Sequence, residues 1–148
     1  MLKDVFQQEH RQDVNGILYF YDVNRNKWLS NREILTFDCN HKNISKHRYL
    51  KFNGVFANNS GFRILRDATI TSLCIQTKSI TSGVFQIQVK RETTIIDLLT
   101  VSLNSEIGKV VDNINLDVRQ GDVLIVKILS GVLDYPVMGI ELCWRTVF

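Results

Sequence analysis

A chain of 148 residues with 45% apolar and 22% charged side chains has the make-up of one globular domain, which argues against a disordered chain and is too short for two full-sized domains. Its formal charge of +3 is too mild to specify an acidic partner by itself, and no apolar run approaches the roughly 18 residues of a membrane span.

The opening Met1-Leu2-Lys3-Asp4-Val5-Phe6 runs into Gln7, Gln8, Glu9, His10 and Arg11. That is too polar for the apolar region of a signal peptide, so the chain is expected to be made and folded in a cytosol. Leu2, Val5 and Phe6 share one helical face, yet a helix of one or two turns is marginal in water. Residues 1–16 are therefore read as an N-terminal docking arm, with Leu2, Val5 and Phe6 as its contacts, and residues 17–148 as the folded domain.

From residue 17 onward the rhythm is that of short strands cut by Asn and Gly turns. Ile17–Asp22 and residues 27–29 flank Val23-Asn24-Arg25-Asn26 and read as a hairpin, because Asn tolerates the positive φ of tight turns. Residues 32–37 place Ile34 and Thr36 on one face and Leu35 and Phe37 on the other. A polar loop over 38–47 leads to a strand at 49–52, closed by the turn pair Asn53-Gly54. After a second turn at Asn58-Asn59-Ser60-Gly61, strands are expected at 62–65 and 68–76, where β-branched residues favour a pleated sheet.

Residues 84–90 give the cleanest alternation, with Phe85, Ile87 and Val89 facing a core and Gln86, Gln88 and Lys90 facing water. Strands follow at 95–103 and 110–118. Gly121-Asp122 then turns into residues 123–129, whose unbroken apolarity predicts a central strand buried on both faces. Pro136, the single proline, opens the last strand over 137–145, where its missing donor costs little; Met138, Ile140, Leu142 and Trp144 point inward. Roughly eight to ten strands at near-regular spacing predict an all-β fold, a jelly-roll-like antiparallel sandwich.

Catalytic chemistry finds no support. The chain lacks a Gly-rich phosphate loop and a GxSxG elbow. Cys39 with His41 or His47 matches neither a zinc signature nor an oriented nucleophile–base pair, and the scattered acids have no defined separation. Cys39, Cys74 and Cys143 are odd in number and widely spaced, which argues for free thiols in a reducing compartment. No enzyme activity, cofactor or metal is expected.

Nine of the eighteen basic residues lie between Asn24 and Arg66, opposed there only by Glu33 and Asp38. Aromatic side chains crowd the same half, among them Tyr19, Tyr21 and Trp28. Basic and aromatic residues together can stack bases or sugars, but aromatics dominate cores and interfaces alike. Tyr19, Tyr21 and Trp28 are accordingly read as surface or interface aromatics, and nucleic acid is disfavoured as a partner.

The segment Tyr19-Phe20-Tyr21-Asp22-Val23-Asn24-Arg25-Asn26-Lys27-Trp28-Leu29-Ser30, with Arg32-Glu33-Ile34-Leu35-Thr36-Phe37 after it, resembles the opening of small structural proteins of tailed bacteriophages. The likeness continues through Tyr49-Leu50, Asn53-Gly54, Gly61-Phe62-Arg63-Ile64 and Arg66-Asp67-Ala68-Thr69-Ile70-Thr71. It closes on Gly121-Asp122 and Ile140-Glu141-Leu142-Cys143-Trp144-Arg145, so it spans about residues 18–145. The resemblance implies a virion component: capsid decoration, head fibre or tail-associated domain, made in the host cytoplasm and assembled with other virion proteins. It also implies jelly-roll trimers. A homo-oligomer is expected independently, since sandwich edges need covering and residues 123–129 look too apolar for a wetted strand. A buried Val147-Phe148 end would suit docking on a larger surface. The rival reading is a carbohydrate-binding module for a host surface glycan.

Overall fold

The computed structural model describes residues 11–56 and 60–148. These residues form eleven strands: β1 (Arg11–Val14), β2 (Ile17–Asp22), β3 (Lys27–Asp38), β4 (Lys51–Phe52), β5 (Val55–Phe56), β6 (Phe62–Arg63), β7 (Ala68–Arg91), β8 (Thr94–Val111), β9 (Leu116–Val118), β10 (Val123–Ser130) and β11 (Val137–Thr146). All pairings are antiparallel, and the described residues include no helix. The all-β, sandwich-like expectation holds, built as one curled sheet whose main path runs β1-β2-β3-β11-β7-β10-β6.

Turn chemistry sets the hairpins. Asn15 and Gly16 (φ 53° and 79°) join β1 to β2, and Asn53 and Gly54 (φ 51° and 81°) join β4 to β5, so both turns take the two positive φ angles that match strand twist. The first of these hairpins corrects the boundary drawn from the sequence. Arg11 pairs with Phe20 and Val14 with Ile17, so the sheet begins within the segment read as an arm. Leu2, Val5 and Phe6 lie outside the described residues.

Strand β7 is the spine. The expected strands at 68–76 and 84–90 are one continuous strand of 24 residues, carried through by Thr77 to Gly83. Its first part pairs with β11 and β9, its second with β10, and β8 follows it along most of its length. Register shifts between Gln76 and Gly83 bend the strand, and across them its second long partner changes from β11 to β10. The bend needs a close approach by the β10–β11 connection. Gly131 (φ 90°) supplies it, because a Cβ there would lie 2.5 Å from the Ser82 carbonyl oxygen.

The curled sheet encloses one core that includes Phe37, Leu50, Ile70, Phe85, Leu103 and Ile128, all fully buried. Phe85, Ile87 and Val89 face it as the alternation predicts. Their neighbours Gln86 and Gln88 do not face water: each is only 7% exposed. Gln86 Nε2 donates to the Leu99 carbonyl and its Oε1 accepts from Thr100, while Gln88 Nε2 donates to Asp97 Oδ1 at 2.7 Å. Neighbouring strands bond these side chains in part, since Gln88 Oε1 is buried with no hydrogen-bond partner among the described residues.

Strand β10 is not central but lies next to the end of the main path, between β7 and the two-residue β6, and the inference drawn from its apolarity is also corrected. Leu124, Ile125, Val126 and Ile128 are all fully buried within one chain, so no neighbouring subunit is needed to cover them. The strand expected at 110–118 is broken at Asn113 (φ 59°), leaving the end of β8 and the short β9. Cys39, placed by the sequence in a polar loop, is buried in the core, whereas Cys74 on β7 is exposed. The chain end is exposed too, with Val147 at 85% and Phe148 at 58%, which overturns the expected buried terminus.

Candidate docking surface

The β2–β3 hairpin carries the aromatic residues singled out by the sequence, and its tip is fastened across the sheet. Asp22 accepts from the backbone N–H of Arg25 (2.9 Å) and from its guanidinium (2.8 Å). The same guanidinium donates through Nε to the Ile114 carbonyl (2.8 Å) and through Nη2 to the Thr71 carbonyl (3.2 Å). One side chain therefore holds the turn, β7 and the approach to β9 together, using the planar fork that lysine lacks.

Three more cations extend this polar seam. Lys27 Nζ reaches Asp117 Oδ1 at 2.7 Å, where Thr69 Oγ1 also donates at 2.7 Å and Arg145 Nε stands 3.4 Å away. Arg32 Nε donates to Glu141 Oε1 at 2.9 Å, and Thr71 Oγ1 donates to the same oxygen at 2.7 Å. Arg25, Lys27 and Arg32 belong to the basic half of the sequence, but acids from outside that half neutralise them. The unevenness of charge along the chain is thus partly erased by folding.

The carboxylates of the seam titrate low. Burial alone would raise Asp22, Asp117 and Glu141, but Arg25, the Lys27–Thr69 pair and the Thr71–Arg32 pair respectively outweigh it. Asp122, 2% exposed at the β9–β10 turn, is held low first by its bonds to Arg91 (2.7 and 2.9 Å), against its burial. A carboxylate lowered in the folded state stabilises the fold above its unfolded value and loses that contribution as the pH falls through its folded value. Thermal melts followed by circular dichroism should be nearly flat between about pH 7 and pH 5 and fall below about pH 4. A melting temperature that rises on acidification would contradict this assignment.

The hairpin's two faces carry different surfaces. On one, Tyr21 stands opposite Trp28 in register, with ring centroids 5.4 Å apart and edge-to-face. Phe148 closes the cluster, 5.0 Å from Trp28 and 6.4 Å from Tyr19. Tyr21 Oη also donates to Asn26 in the turn. The structure therefore brings Tyr19, Tyr21 and Trp28 together. It assigns Tyr19 to the interior at 4% exposure, where burial raises its phenol above the ordinary value against the opposing charge of Arg66.

On the other face, Phe20 pairs with Leu29 and opens a concavity of about 490 Å³, with Cys143 in its lining and Asp22, Asn31 and Arg32 among its polar residues. Phe20 remains 43% exposed. Burial raises the Cys143 thiol, which favours its neutral, apolar form. Sequence reasoning names Phe148 only as part of a buried docking end and does not set Phe20 apart from its neighbouring aromatics. Alternation could have singled out Phe20, since it must point opposite to Tyr19 and Tyr21.

No protein-family model matches the chain, and no curated protein matches it. Among the described residues, no group of three or more His, Cys, Asp and Glu is placed to hold a metal ion. No helix among them is long and apolar enough to cross a membrane. Cys39 is separated chemically from its loop histidines, because burial pushes its thiol up and away from the reactive thiolate.

Proposed function

We propose that this chain is a non-enzymatic structural protein of a tailed-bacteriophage particle, exposed as a capsid decoration, head fibre or tail-associated component. It is made in the host cytoplasm and acts by docking on other virion proteins as a homo-oligomer. The resemblance along residues 18–145 suggests the setting. The observation that carries the reading is that both faces of the pinned β2–β3 hairpin present exposed apolar side chains, Phe20 at 43% on one and Phe148 at 58% against the other, with Val147 at 85% beside it. Large apolar side chains exposed on a rigid scaffold suit surfaces that other proteins cover.

The test is co-sedimentation of the purified chain with particles in a density gradient. The double variant Phe20→Asp with Phe148→Asp should melt within a few degrees of the parent yet lose co-sedimentation at least about tenfold, since each buried aromatic contributes about 1.5–3 kcal/mol. Equal recovery of parent and variant would remove the docking role from this surface.

The concavity beside Phe20 supports a second reading. Its volume suits a small ligand, and an aromatic wall with Asn31 and Arg32 nearby is chemistry that can stack and hydrogen-bond a sugar. Saturable binding on an array of host surface glycans, lost in Phe20→Asp, would move the function to host recognition.

A further inference from the structure

The longest uncovered feature of the fold is an edge. Strand β8 runs for 18 residues, and among the described residues it pairs only with β7. In an edge strand every second residue turns its N–H and C=O outward, ready to pair with another strand. Folded proteins ordinarily blunt such an edge with lysine, proline, shortness or a cover. The segment Thr94-Ile95-Ile96-Asp97-Leu98-Leu99-Thr100-Val101-Ser102-Leu103 has no lysine, no proline and one charge. That charge, Asp97, is exposed, and its Oδ1 accepts from Gln88 Nε2 of the neighbouring strand at 2.7 Å. Ile95 is meanwhile 52% exposed. At about 3.4 Å per residue, this edge is roughly 34 Å long.

We infer that the β8 edge is the self-association surface of this protein, pairing antiparallel with β8 of a second copy about a two-fold axis. Length selects the partner. Among the described residues, β1, with 4 residues, β6, with 2, and β9, with 3, are too short to cover it. Another β8 set antiparallel about Thr100 faces it over residues 94–106 of each copy. An antiparallel pair of identical strands is two-fold by construction, so the interface closes without leaving a free copy of itself. An axis near Thr100 sets Asp97 of each copy opposite an uncharged residue, so no like charges meet. The two-fold differs from the three-fold form implied by the phage resemblance, and it does not depend on the virion reading.

Light scattering of the full chain at micromolar concentration should give twice the 17.1 kDa of one copy. Thr100→Lys puts two lysines at the axis and should yield a monomer with an unchanged far-ultraviolet spectrum. Site-resolved hydrogen exchange on the parent chain supplies a readout that needs no variant: the outward amides of residues 94–103 should exchange slowly, about 100-fold or more below free-edge rates. A parent that is monomeric or of three-chain mass would overturn the inference. So would a dimer whose outward β8 amides exchange freely, and so would a monomer in which they are protected, since another segment of the chain would then occupy the edge. A monomer that still co-sediments with particles would overturn the paired edge and leave the docking role standing.

Discussion

Replacing Arg25 by alanine is expected to lower stability by about 2–4 kcal/mol, the range for losing a partly buried ion pair together with charged hydrogen bonds. The side chain is 13% exposed and that of its partner Asp22 is 18% exposed, so neither charge is well screened by water. The alanine variant strands Asp22 and leaves the Ile114 and Thr71 carbonyls without the guanidinium that now donates to them. For a domain of this size the melting temperature should fall by roughly 5–15 °C. Because Arg25 fastens the hairpin tip, Trp28 fluorescence should also shift to the red as the cluster with Tyr21 and Phe148 loosens. Arg25→Lys can keep the pair with Asp22 but cannot fork to both carbonyls, and should recover only part of the loss. A variant that melts like the parent would remove the pin from the account.

Phe85→Ala should be at least as damaging. Phe85 is fully buried at the crossing of three strands, in register with Val101 on β8 and Ile128 on β10. Deleting a buried phenyl ring costs about 3–5 kcal/mol, because the surrounding strands collapse only in part onto the cavity. Urea unfolding should show a lower midpoint with little change in slope. A loss below about 1 kcal/mol would mean that the core is not organised around β7.

Phe85 also marks how far the sequence alone can be read. Alternation over 84–90 told which side chains share a face, and Phe85, Ile87 and Val89 do line the core. It could not tell what covers the opposite face, so Gln86 and Gln88 were expected in water although Leu99, Thr100 and Asp97 hold them. Local pattern gives direction, whereas cover comes from strands distant along the chain. The same limit splits one strand into 68–76 and 84–90. Residues 77–83 are polar enough to pass for a loop, and only their partners on β8 make them strand.

The docking surface was half legible. Tyr19, Tyr21 and Trp28 lie within one hairpin whose turn residues are diagnostic, so their grouping follows from local register. Phe148 joins them from the far end of the chain, with no local signal for the contact. The pairing of charges is hidden from the sequence for a related reason. The acids that neutralise Lys27 and Arg32, Asp117 and Glu141, come from β9 and β11, and a count along residues 24–66 passes over both. The edge of β8 was visible as an apolar run, but not as an edge, because strand order is a property of the whole sheet.

The central claim, that the chain works by assembly on a phage particle, is tested most directly by quantitative mass spectrometry of gradient-purified particles. The account predicts this chain in a fixed copy ratio to the major capsid or tail proteins, unchanged through repeated gradients. Abundance in the infected-cell lysate with none retained in purified particles would contradict it.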